Sequence, residues 1–131
     1  MIRLSIGGII KMKDIDLLIN ALKIIASPYE IQKKYYPDFV CLGDEIANEL
    51  ECREYLQDQI SEDERFTEKI LCEMEEIDNQ FLSISFGEEK YDPVLWEDKA
   101  IRDNVFWQKQ RERAVQILKE LGIDDKLPVQ E

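Results

Sequence analysis

The stretch DIDLLINALKIIA, residues 14–26, decides the fold. Projected at about 100° per residue, Ile15, Leu18, Ile19, Leu22, Ile25 and Ala26 share one helical face. Leu17, Ala21 and Ile24 widen that face, and only Asp16, Asn20 and Lys23 remain as a polar strip. A helix this apolar is soluble only if other elements cover most of its circumference, which puts it at the centre of a helical bundle. Asp14 is placed to cap its N-terminus.

The flanking sequence supplies those other elements. Ser27, Pro28 and Glu30 have the spacing of a capping box with proline at the first helical position. Pro37 forces the helix to stop at Tyr36, leaving Tyr29, Ile31, Tyr35 and Phe39 to line a tight corner. Gly43 and Asp44 open a segment running to Ile60. Glu49, Arg53 and Gln57 interrupt its apolar face, so an exposed or broken helix is expected there. Ser61 with Glu64 makes a second capping box. Phe66, Ile70, Met74, Ile77, Phe81 and Ile84 then form a narrow apolar stripe that Gly87 ends. Asp92 and Pro93 start a last helix, with Phe106, Trp107, Ala114, Ile117, Leu118 and Leu121 inward and Gly122 as its stop.

The expected fold is therefore all-α: a single-domain, irregular bundle of five or six helices. The 14–26 helix should pack between helices 62–86 and 104–121. Residues 1–12 read as an extension ahead of a start at Met12, or as a short strand over 2–6. Residues 123–131 read as a loose tail.

Charge and composition restrict the function. The 131 residues carry a net charge of −12, with 16 acids against 4 bases in residues 44–90 alone. Such a field repels nucleic-acid phosphates and anionic membranes and attracts basic proteins. Histidine is absent, which removes the usual general base near neutral pH and the commonest metal ligand. No Ser–His or Cys–His pair can form, and SIGGII at 5–10 lacks the pattern of a phosphate-binding loop. Cys41, Cys52 and Cys72 have neither zinc-site nor disulfide-framework spacing. Cys41 and Cys52 read as half-buried and Cys72 as an inert surface thiol. Reduced thiols and the lack of any apolar run of about 18 residues fit a cytoplasmic protein. No cofactor and no metal site is expected.

One surface remains as a candidate. The stretch SEDERFTEKILCEMEEIDNQ, residues 61–80, holds eight carboxylates and two basic side chains. With the apolar stripe inward, Glu64, Glu68, Glu75 and Glu76 point outward, joined by Glu49 and Asp58 upstream. Like charges at i,i+4, as in Glu64 and Glu68, cost helix stability, which suggests a face kept for binding. A solvated face without a partner is the plainer alternative. Tyr29, Tyr35 and Tyr36 form a second candidate patch, since tyrosine is enriched at interface hot spots; packing at a helix corner is its alternative. Arg102, Lys109 and Arg113 are placed to screen the acidic helix from within.

The block IIASPYEIQKKYYPDFVCLGDEIANELE, residues 24–51, resembles segments of small acidic bacterial proteins, among them immunity proteins of toxin systems. It carries no catalytic motif, and no site residue transfers from it. The resemblance implies a non-catalytic inhibitor that neutralises a basic toxin such as a nuclease. A structural or adaptor subunit whose acidity serves solubility is the alternative, and a carboxylate-dependent enzyme the third.

Overall fold

The structure, a computed structural model, describes residues 14–127. The extension expected over 1–12, the strand over 2–6, the side chain of Asp14 and tail residues 128–131 lie outside the described residues. Seven α-helices occur among the described residues: α1 (Asp14–Ala26), α2 (Tyr29–Tyr35), α3 (Leu42–Ala47), α4 (Gln57–Glu62), α5 (Glu68–Ser83), α6 (Asp98–Asp103) and α7 (Val105–Leu121). Two 3-10 helices, Glu49–Glu54 and Pro93–Trp96, complete the order, and no strand is present among the described residues.

The all-α expectation holds, with more and shorter helices than five or six. The segment expected as one helix from Gly43 to Ile60 is broken into α3, the first 3-10 helix and α4. The break satisfies the interrupting polar residues: Arg53 donates from Nε to Leu50 O at 3.3 Å and pairs with Asp78 on α5. The run from Pro93 is also broken twice. Asp92 accepts from Val94 N–H at 3.0 Å, but the helix it caps lasts only to Trp96. Asn104 then accepts from Phe106 N–H at 2.8 Å and starts α7 afresh, as an asparagine at an N-cap favours.

Neither expected capping box forms. Ser27 donates its hydroxyl back to Lys23 O at 2.7 Å, and no side chain caps α2. Ser61 lies inside α4 and donates to Asp58 O at 2.9 Å. The acidic helix instead begins at Glu68 under Thr67, whose hydroxyl accepts from Ile70 N–H at 3.3 Å.

α1 is central, with Leu18, Leu22, Ala21 and Ile24 fully buried. Its main neighbours are α7 on one side and the 3-10 segment Glu49–Glu54 on the other, so the expected sandwich between the acidic and terminal helices is corrected. The acidic helix α5 packs on α7 instead. Lys69 pairs with Glu120 at 3.0 Å near one end, and the Phe81 and Phe106 rings meet at 5.7 Å near the other, so α5 and α7 run antiparallel. Every residue of the Phe66–Ile84 stripe is buried. Gly43 lies inside α3 with its Cα against Trp96; a Cβ there would sit 2.8 Å from the indole, so only glycine permits this approach.

The C-terminus of α1 is closed by side chains from elsewhere. Gln32, buried, donates from Nε2 to Ile24 O at 2.9 Å. Arg111, 8 % exposed, reaches in from α7. Its Nε donates to Ser27 O at 3.1 Å, and its Nη2 to Gln32 Oε1 at 3.3 Å and to Ile101 O. One guanidinium thus joins α1, α2, α6 and α7. Burial pushes its pKa down.

At the other end of α7, Gly122 is left-handed at φ 76°. Ile123 N–H bonds to Leu118 O at 2.9 Å and Gly122 N–H to Lys119 O at 3.0 Å. This double closure satisfies the last carbonyls. Beyond it Ile123 and Leu127 are half-buried against the core, while Asp124, Asp125 and Lys126 are exposed.

Leu22→Ala should cost about 2–5 kcal/mol, the range for a fully buried leucine, read as a lower urea midpoint with an unchanged slope. Arg111→Ala should cost at least about 3 kcal/mol, because it orphans three acceptors at about 1–3 kcal/mol each. Arg111→Lys should recover only part of that, since one ammonium cannot span the same fork. An unchanged midpoint for Arg111→Ala would remove this junction as a stabilising element.

Candidate functional site

Helix α5 separates its two faces cleanly. Ile70, Met74, Ile77 and Phe81 are buried, while Glu68, Leu71, Cys72, Glu75, Glu76 and Asn79 are exposed. Thr67 fixes where the helix starts, and the apolar stripe fixes which side faces out. Three flanking acids are held by neighbours. Asp78 pairs with Arg53 of the first 3-10 helix. Burial, followed by the like charges of Glu51 and Glu75, outweighs that pairing and holds the Asp78 carboxyl above the usual carboxylate range. Glu120 pairs with Lys69, whose ammonium holds its carboxyl down. Glu73 is raised, first by burial and then by the neighbouring Glu120 carboxyl.

The outermost carboxylates have no such cation. Among the described residues no salt bridge engages Asp58, Glu64, Glu68, Glu75 or Glu76, and all five are exposed. Glu76 accepts from Gln80 Nε2 at 2.7 Å, a neutral contact one turn on. Asp58 stands in the first turn of α4, where the helix dipole favours a carboxylate. Glu64 lies in the turn before α5, beside the Asp63–Arg65 pair at 2.7 Å. It therefore forms no i,i+4 helical pair with Glu68, which corrects the helix cost assigned to that spacing.

Glu49 is a correction of a different kind. It is 2 % exposed and accepts a hydrogen bond from the Tyr36 hydroxyl. It belongs to the interior because Glu49–Glu54 is wound as a 3-10 helix, which turns residue 49 toward Tyr36 rather than outward. Glu51, missed in the sequence, joins the acidic face in its place through its field on Asp78. Only the tighter 3-10 pitch, not visible in an α-helical projection, would have indicated the exchange.

The tyrosine corner is mostly structural. Tyr36 is buried, its ring edge-on to Tyr35 at 5.2 Å, so it does not present a contact patch. Tyr35 is half-buried and accepts from Asn20 Nδ2 at 3.0 Å. Tyr29 donates to Asp98 Oδ2 at 2.8 Å, and Lys33 pairs with the same oxygen at 3.0 Å. Phe39, expected to pack here, is 81 % exposed. α2 packs on α3 and α6 while α5 packs on α7, so the two candidate sets sit on separate surfaces.

The expected internal screen also differs. Arg102 lies on α6 and pairs with Asp103 at 3.1 Å, and Arg113 donates to Gln110 Oε1 at 3.2 Å. Lys109 is exposed. The acidic helix is met by Arg53 instead, and its own Lys69 pairs with Glu120 on α7. Cys41 is exposed and Cys52 buried, where both were expected half-buried; Cys72 is exposed on the acidic face as expected.

A cleft of about 460 Å³ lies beside Pro28, Ile31, Tyr35 and Leu127. Its walls are mostly apolar and bring no pair of carboxylates together. No group of three or more metal-ligating side chains occurs among the described residues, and none of their helices is long and apolar enough to cross a membrane. No protein family, curated protein or solved structure matches the chain.

The Lys33 and Tyr29 hydrogen bonds hold the Asp98 carboxyl below its ordinary value. A depressed folded pKa contributes stability above the unfolded value of about 4 and loses it as pH falls through the folded one. Asp98→Asn should therefore lower the urea midpoint modestly at pH 7, the pair being half exposed. The gap from wild type should close as the pH falls below the ordinary carboxylate range. A gap that persists unchanged at the acid end would mean that Asp98 acts by packing and not by charge.

Proposed function

We propose that this chain is a non-catalytic, acidic protein-binding module that engages a basic partner through the outer face of α5. The observation that carries the reading is the division of its carboxylates. Asp78 is held by Arg53 and Glu120 by Lys69, while Glu68, Glu75 and Glu76 stand exposed without a salt bridge among the described residues, as do Asp58 and Glu64 nearby. A face needing only solubility would mix both signs; a one-sign face speeds encounter with an oppositely charged protein and selects against acidic ones. The resemblance of residues 24–51 to immunity-type proteins supports a partner of toxin type, such as a basic nuclease, neutralised by occlusion.

The test is a double charge reversal, Glu68→Lys with Glu75→Lys. Both side chains are exposed, so the helical circular dichroism and urea midpoint should stay at wild-type values. Association with the partner, recovered by pull-down and followed by surface plasmon resonance, should slow about tenfold or more at low salt. Wild-type association should itself slow as the Debye length shortens toward about 8 Å. Unchanged rates and salt dependence in the reversed protein would reduce the face to a solvated one and favour the adaptor reading.

A further inference from the structure

We infer that the pole of the bundle where α5 ends and α7 begins is the apolar anchor of the docking surface, taking large apolar side chains from a partner segment whose flanks carry Lys or Arg. The inference rests on the acidic-face reading above and adds to it the site of close contact. Four large apolar side chains stand in solvent there: Leu82 at 60 %, Phe86 at 86 %, Val94 at 57 % and Val105 at 65 % exposed. Single exposed hydrophobics are ordinary, whereas several at one place mark a contact site.

Three contacts bring the segments that carry these four to one end of the bundle. The contact of Phe81 with Phe106 sets the last turn of α5, which carries Leu82, beside the first turn of α7, which carries Val105. Trp96 Nε1 donates to Ile84 O at 2.9 Å and pins the second 3-10 helix, with Val94, to the end of α5. Trp107 Nε1 donates to Leu95 O at 2.8 Å and pins the same helix to α7. Phe86 leaves α5 through a turn closed by Ser85 N–H on Leu82 O at 3.0 Å, and its ring lies 5.3 Å from that of Tyr91.

The rim identifies the occupant. The connecting segment 84–97 carries Glu88, Glu89, Asp92 and Glu97 against Lys90 alone. None of those four acids is in a salt bridge among the described residues. A second copy would bring two chains of net charge −12 together at an acid-rimmed pole, and like charges facing each other across an interface oppose docking. An apolar segment flanked by cations satisfies both the hydrophobic patch and its rim.

The probes are a synthetic Leu/Lys amphipathic helix and an Ala/Lys helix of the same length and charge, titrated by fluorescence anisotropy at low salt. The Leu/Lys helix should bind about tenfold tighter or more, as burial of leucine side chains adds to charge. Leu82→Ser with Phe86→Ser, checked for native circular dichroism, should abolish that advantage and leave salt-dependent binding of both helices. Equal affinity of wild type for the two helices would overturn the anchor while leaving the acidic face in place. A preference that survives in the double variant would also overturn it, by putting the apolar contact elsewhere. Failure of both helices to bind would overturn the anchor and the acidic face together. Sedimentation showing a dimer that the double variant dissolves would assign the pole to a second copy instead, and capture by zwitterionic vesicles lost in that variant would assign it to lipid.

Discussion

The buried guanidinium of Arg111 is the constraint on which the arrangement of the helices depends. α1 is the most apolar element of the bundle, yet it ends inside the protein, where its last carbonyls cannot reach water. A helix end buried without donors is costly, because each orphaned acceptor keeps its desolvation penalty. Gln32 and Arg111 supply the donors, and Arg111 spends its remaining fork on Ile101 O, near the end of α6. Two helix C-termini therefore converge on one cation, the sign the helix dipole favours there. Because the guanidinium has fixed geometry, it sets the relative positions of α1, α2, α6 and α7 more narrowly than apolar contact would.

Packing around that junction shapes the outer surface as well. With α1 occupied by α7 and the first 3-10 segment, α5 lies against α7, one layer further out. Its inner stripe meets α7, and its outer face stands exposed among the described residues. Arg53 reaches α5 from the first 3-10 helix and takes up Asp78, while Lys69 of α5 itself reaches out to Glu120 on α7. The exposed carboxylates are thus left over by the architecture as much as by the composition.

Helix type and the main buried faces were legible in the sequence, since they depend on period and apolar volume. The 14–26 face, the 66–84 stripe, the inner residues of α7 and the glycine stop at Gly122 all stand as read. Two capping boxes were misplaced because a serine hydroxyl has a competing local acceptor. Ser27 and Ser61 each bond a carbonyl behind them, leaving Thr67 to start the acidic helix. Glu49 was misread because a 3-10 turn advances each residue further around the axis than an α-helical one. The outward positions of Glu68, Glu75 and Glu76 were legible, being fixed by the apolar stripe opposite. Arg111 could not be picked out from the other cations of the last helix, because its partners are backbone oxygens and one amide from segments distant in sequence. The patch at Leu82, Phe86, Val94 and Val105 was hidden for the same reason, as three separate elements contribute to it.

The indole contacts at that pole have an optical consequence. The chain has two tryptophans, and their rings stand edge to face at 5.8 Å, each tied to a backbone carbonyl where α5 meets α7. Intrinsic emission is therefore a local signal, with both chromophores reporting one neighbourhood and close enough to exchange excitation energy. Fraying that begins at the opposite end, near Lys69 and Glu120, would erode the far-ultraviolet helical signal before the emission changes. Melting curves recorded by the two methods would then separate if that end opens first, and would coincide only if the bundle comes apart as one unit.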